Sequence, residues 1–144
     1  MDLEQGITAF SEVLGAPPPG TDAAGRYVFR FEEDLELRCF LLAGKPILEG
    51  VVCMAPADTN EAEALLKSLL RVSLGRARER ADVLMLDEET REVRLFRRLS
   101  PEAVKGREFV EAAEDFLNEL DFWRRRASQG GRPERFSSPF SLLR

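Results

Sequence analysis

The stretch Tyr27-Val28-Phe29-Arg30-Phe31-Glu32-Glu33-Asp34-Leu35-Glu36-Leu37-Arg38-Cys39-Phe40-Leu41 decides the fold class. Tyr27, Phe29 and Phe31 alternate with Val28 and Arg30, and beyond the acidic interruption Leu35, Leu37, Cys39 and Leu41 alternate with Glu36, Arg38 and Phe40. A period of two is that of an extended strand whose side chains leave on opposite faces, so two strands joined through Glu32-Glu33-Asp34 are predicted. Ala43-Gly44-Lys45-Pro46 has the composition of a second turn, and Ile47 to Met54 reads as a third antiparallel strand. The segment is a three-stranded meander.

Outward on the N-terminal side, Leu3, Ile7, Phe10, Val13 and Leu14 recur every three to four residues and define one face of a short helix that Gly15 and Pro17-Pro18-Pro19 stop. On the other side, Asp58 or Thr59 caps a helix with Glu61 in capping-box position, and this helix continues to Leu74 before Gly75. Its apolar face is wide. Leu65, Leu69 and Val72 form one stripe and Leu66, Leu70 and Leu74 its neighbour, so the helix can bury the first stripe and still present the second. After the basic loop Arg76 to Arg80, Val83-Leu84-Met85-Leu86 and Val93 to Arg97 flank the turn Asp87 to Arg91 as a second hairpin. Ser100-Pro101 opens a last helix in which Phe109, Ala113, Phe116, Leu120 and Trp123 repeat at helical spacing, with Gly106 as a candidate interruption and an end near Arg126. The fold class is therefore α+β, in the order α-β-β-β-α-β-β-α.

The chain has 144 residues, 44% hydrophobic and 33% charged, with a net charge of −5, two cysteines and no histidine. That size supports one core rather than two. Residues 1–126 are read as the folded domain and 127–144 as a basic tail rich in Ser, Gly, Pro and Arg, in which Phe136, Phe140, Leu142 and Leu143 mark a segment able to dock on an apolar surface. The opposite signs of body and tail make a contact of the tail with an acidic patch the favoured role, beside simple disorder. No apolar run approaches the ~20 residues of a membrane span, and Asp2 and Glu4 stand where a signal peptide would be basic, so the expectation is a cytoplasmic protein. Cys39 and Cys53 then read as small buried apolar residues, not a disulfide.

Without histidine there is no imidazole base, no Ser/His/Asp or Cys/His triad and no His-bound metal. Neither a dinucleotide nor a P-loop phosphate motif is written in the chain. Glu32, Glu33 and Asp34 read as a solvated turn, and Glu111, Glu114, Asp115, Glu119 and Asp121 as largely the outer face of the last helix. No cofactor, no metal and no catalytic residue is expected. The arginine-rich tail is weak grounds for nucleic-acid or membrane binding beside an acidic body that repels phosphate.

The element order, size and acidity, together with Ile7-Thr8-Ala9-Phe10-Ser11-Glu12-Val13-Leu14-Gly15, Phe29 to Leu37, Glu63-Ala64-Leu65-Leu66-Lys67-Ser68-Leu69-Leu70 and Leu84-Met85-Leu86-Asp87-Glu88-Glu89-Thr90, resemble the type III secretion chaperones of the CesT/SycE class over residues 3–126. The resemblance implies a homodimer that uses no ATP and holds the N-terminal segment of a secreted effector extended until the secretion machinery, its ATPase included, takes it. It implies a dimer interface on the middle helix, here Leu65, Leu66, Leu69, Leu70 and Leu74. It also implies effector-binding grooves between the first helix and the sheet, with Phe10, Val13, Leu14, Val28, Phe40 and Leu48 as candidates. Two other functions stay open: a regulator of the same fold that sequesters an activator or anti-activator of secretion genes, and a small carboxylate-dependent enzyme with two acids converging in a deep pocket.

Overall fold

The computed structural model describes residues 3–76 and 81–129; most of the basic loop and of the tail lie outside the described residues. The observed order is α1 (Glu4–Leu14), β1 (Tyr27–Arg30), β2 (Glu36–Leu42), β3 (Lys45–Met54), α2 (Thr59–Arg76), β4 (Val83–Leu86), β5 (Glu92–Arg98) and α3 (Gly106–Ser128), with 3-10 turns at Glu32–Asp34 and Pro101–Val104. The strands form one antiparallel sheet in the order β1-β2-β3-β5-β4, which leaves β1 and β4 as its edges. The fold is α+β, with the elements in the sequence expected.

Register explains which side chains face inward. In β1 and β2, Phe29 pairs with Leu37 and Val28 with Arg38, and across to β3, Cys39 pairs with Leu48 and Phe40 with Ile47. Paired residues share a face. One face of β1–β3 thus carries Phe29, Leu37, Cys39 and Leu48, all buried, and the other carries Val28, Arg38, Phe40 and Glu49. The β2–β3 turn is tighter than the four residues expected. Leu42 pairs with Lys45, so the loop is Ala43-Gly44 alone, and both have positive φ, 52° and 76°, as a type I′ turn requires.

The described residues form two compact units, those up to Gly50 with Phe96–Leu117, and those of Val51–Leu95 with the described residues from Asn118 on. In the first, α1 lies on the Phe29 face. Phe10 meets Phe29 edge-on at 5.0 Å between ring centroids and Phe109 at 6.4 Å, and Ile7 and Leu3 continue the buried stripe. Gly15 ends α1 with φ 69°, its N–H bonding to Glu12 while that of Ala16 bonds to Ser11, a Schellman closure. The last helix is interrupted where Gly106 stands, at φ 45°: a 3-10 turn with Pro101 at its start precedes α3. In the second unit, Ala62, Leu65 and Leu69 of α2 are buried together with Val52, Val93, Leu95, Leu120 and Trp123. Asp58 caps α2 by accepting the Asn60 N–H at 3.0 Å, and the helix passes through Gly75 to Arg76 instead of stopping before it. No described helix is long and apolar enough to cross a membrane.

Candidate functional site

The six residues expected to bind an effector do not form one surface. Phe10 and Leu48 are core residues, 1% and 0% exposed, and leave no side-chain surface for a partner. Leu48 is inward because it pairs with Cys39, and Phe10 because it fills the space between Phe29 and Phe109. Val13 is 61% exposed and Leu14 40%, at the end of α1. Leu41, also exposed, has the parity of Cys39 and Phe29 and so projects to the α1 side of the sheet. Val28 and Phe40 are half-buried on the opposite face. Val13 and Leu14 accordingly lie with α1 on the Phe29 side of the sheet, and Val28 and Phe40 on the opposite face.

The face that carries Val28 and Phe40 is crossed by charge pairs. Arg26 and Arg38 both donate to the Glu49 carboxylate, at 3.5 and 3.3 Å, and Arg30 donates to Glu36 at 3.1 Å. Glu49 is buried in a central strand, and the two guanidiniums compensate its desolvation. Asp22 is held below its ordinary value, first by the Arg26 backbone N–H and also by the Arg26 side chain. Three arginines and three carboxylates make this surface a neutral mosaic of short apolar and charged strips.

In the second unit the two stripes of α2 separate as their spacing requires. Leu65 and Leu69 are buried within their own chain, Leu66 is half-buried, and Leu70 and Leu74 are 59% and 77% exposed. Of the five residues assigned to an interface between copies, Leu65 and Leu69 have no surface to offer one. Edge strand β4 adds Val83 and Met85, both exposed. A natural edge strand is ordinarily defended by charge, proline or a covering element, and Val83-Leu84-Met85-Leu86 carries no charge. Next to these residues is a pocket of 410 Å³, lined in part by Leu70, Arg76, Val83, Leu84 and Trp123.

Glu119 is not on the outer face of α3. It is 2% exposed, three residues after Phe116 and four before Trp123, a spacing that puts it on the buried stripe. Arg76 pairs with it through both carboxylate oxygens, and its guanidinium lies 4.2 Å from the Phe122 ring centroid. Asp115 likewise pairs with Arg97 at 2.9 Å. The 410 Å³ pocket has Asp82 as its one carboxylate among the described residues, so the paired acids of a carboxylate-dependent enzyme do not meet there. Cys39 and Cys53 are free thiols, and burial pushes both thiol pKa values up. Among the described residues no group of three or more Cys, Asp or Glu is placed to hold a metal ion.

The model of the Tir chaperone protein (CesT) family matches residues 5–124. The chain belongs to that family. Its fold is shared by solved structures of low identity. The ExsC–ExsE complex matches with a TM-score of 0.66 at 20% identity over 85% of this chain and 91% of that one. The chaperone–effector complex of HopA1 and SchA matches with a TM-score of 0.61 at 17% identity over 87% and 98%. The Yersinia pestis type III secretion chaperone SycH, solved with a fragment of YscM2, matches with a TM-score of 0.54 at 11% identity over 83% and 97%. No curated protein matches the chain by sequence. The matched span begins in α1 and ends in α3, so it covers the whole order of elements read from the sequence.

Proposed function

We propose that this member of the CesT family is a type III secretion chaperone that holds the N-terminal segment of a secreted effector extended in the bacterial cytoplasm, without catalysis. The observation that carries the reading is the exposed apolar surface at the end of α1 in a family of chaperones: Val13 and Leu14, on the side of the sheet to which Leu41 also projects. The entropy an extended client loses on ordering is offset only by a broad apolar surface that is ready without refolding. Edge strand β1 adds main-chain groups with which a client strand can pair. In this reading residues 1–126 are the chaperone domain and the working form is a homodimer joined through Leu66, Leu70 and Leu74 of α2. The client is held until the secretion machinery, its ATPase included, takes it.

Affinity capture from the native cell tests the proposal. The expected partner is an exported protein that binds through its N-terminal segment; capture of a transcription-control protein alone would favour the regulator instead. Val13→Asp is expected to weaken client binding about tenfold or more, since full burial of a valine contributes roughly 1.5 kcal/mol or more. Helix content and molecular mass should be unchanged because Val13 is exposed. Undiminished binding would remove Val13 from the site.

A further inference from the structure

We infer that Arg76 and Glu119 are positioning residues for self-association: their pair fixes the C-terminal turns of α2, which carry Leu70 and Leu74, in the orientation that a second copy meets. The inference rests on the homodimer reading and adds to it the device that orients the interface.

The distribution of burial along α2 leaves room for such a device. Ala62, Leu65 and Leu69 are its buried residues, and none of residues 70–76 is buried. Leu70 and Leu74, 59% and 77% exposed, lie in that stretch. Gly75 follows them, and glycine gives a helix backbone more freedom than any other residue. The core therefore anchors the first part of α2, while about 9 Å of helix from Leu70 to Arg76 has no buried apolar residue of its own.

Arg76 supplies a hold at that end. It is the last residue of α2, its Nη2 donates to both carboxylate oxygens of Glu119, and its guanidinium lies 4.2 Å from the centroid of the Phe122 ring. Both partners are on α3, three residues apart and so on one face of it. Two oxygens and a ring on that face fix the direction of the guanidinium as well as its distance. Stability alone does not call for the pair. Glu119 is 2% exposed between Phe116 and Trp123, where an apolar residue would avoid the cost of desolvating a charge. Arg76 Nε is buried without a hydrogen-bond partner among the described residues, so the pair leaves one of its own polar atoms unsatisfied. Replacing a buried ion pair by apolar residues of similar volume often leaves a fold as stable or more so, whereas the pair specifies one arrangement. Orientation is then its contribution, and the residues it orients are the two exposed leucines that precede Arg76.

Sedimentation equilibrium of the full chain tests this on Arg76→Met with Glu119→Leu, and separately on Glu119→Gln, which keeps the shape of the side chain and removes its charge. The dimer dissociation constant should rise about tenfold or more in the first and severalfold in the second. Stability is read in the Leu70→Glu, Leu74→Glu background, where assembly does not contribute. There Arg76→Met with Glu119→Leu should leave the urea midpoint unchanged or raised, while amide hydrogen exchange over residues 72–76 becomes severalfold faster. An unchanged dissociation constant, a midpoint that falls, or unchanged exchange at the helix end would each overturn the inference and leave the homodimer standing. A parent that sediments at 16.3 kDa would instead refute the homodimer itself, and the positioning role with it.

Discussion

Gly6 shows how one missing side chain sets the position of a helix. A Cβ at this residue would lie 2.5 Å from the Cγ of Phe109 and 2.7 Å from the carbonyl oxygen of Val104. The second contact is with backbone and cannot be relieved by a rotamer change. Glycine inside a helix ordinarily costs about 1 kcal/mol relative to alanine, so Gly6→Ala would stabilise an unobstructed helix. Here the steric term wins, because overpacking a close contact costs about 1–3 kcal/mol. Gly6→Ala is expected to lower the urea midpoint without changing its slope. A midpoint that rises would show that α1 does not approach the 3-10 turn and Phe109 this closely. Glu119 makes the complementary point about what a residue type conceals. Its glutamate identity suggested solvent, while its spacing from Phe116 and Trp123 placed it inside, and Arg76, 43 residues earlier, compensates the charge there. Spacing was visible in the sequence. The partner was not, because it lies on another helix.

At the scale of elements, the strands and helices were legible from period and the faces only in part. Phe29, Leu37 and Cys39 alternate with Val28, Arg38 and Phe40, so both faces of the β1–β2 pair carry large apolar residues and alternation alone does not choose between them. The charge pairs of Arg38, Glu36 and Glu49 mark the face opposite Phe29, and they emerge only once the strands are in register. The burial of Leu48 follows from parity, since any even-numbered β2–β3 loop places it on the face of Cys39. The β4–β5 hairpin is defined more locally. The Asp87 carboxylate accepts the N–H groups of Glu89 at 2.9 Å and Thr90 at 3.3 Å and faces Arg94 at 3.1 Å. The Thr90 backbone bond first, then that of Glu89 and the Arg94 charge, holds its pKa below the ordinary 3.8. A carboxylate depressed in the folded state contributes stability that is complete above 3.8 and lost as pH falls through the lower folded value. Asp87→Asn should therefore flatten the acid limb of Tm against pH below about 4 and leave the shape above it unchanged. Parallel acid limbs for the two proteins would show that the turn does not depend on the ionised form.

At the scale of the whole molecule, exposed apolar surface is the property that a partner must explain. α2 decides the matter because its two stripes are so differently exposed. Leu69, 2% exposed, belongs to its own unit, and a charge placed there would be buried without a partner at a cost of several kcal/mol. Leu70 and Leu74 face outward, so Leu70→Glu with Leu74→Glu places two charges in water if the chain acts alone, and in an apolar interface if α2 joins two copies. The proposed homodimer predicts a parent that sediments at twice 16.3 kDa and a double variant that keeps its helix content and sediments at 16.3 kDa. Leu69→Glu should instead unfold the second unit, which distinguishes loss of assembly from loss of fold. A parent that sediments at 16.3 kDa at micromolar concentration would refute the homodimer and leave the Leu70, Leu74, Val83 and Met85 surface for other partners. Because Val13 and Leu14 lie on α1 and Leu70 and Leu74 on α2, the proposed client binding and the proposed self-association use different residues. The Leu70→Glu, Leu74→Glu protein can therefore be offered the client directly: binding at reduced stoichiometry per complex, with unchanged affinity per site, is the result expected if each copy carries a complete groove.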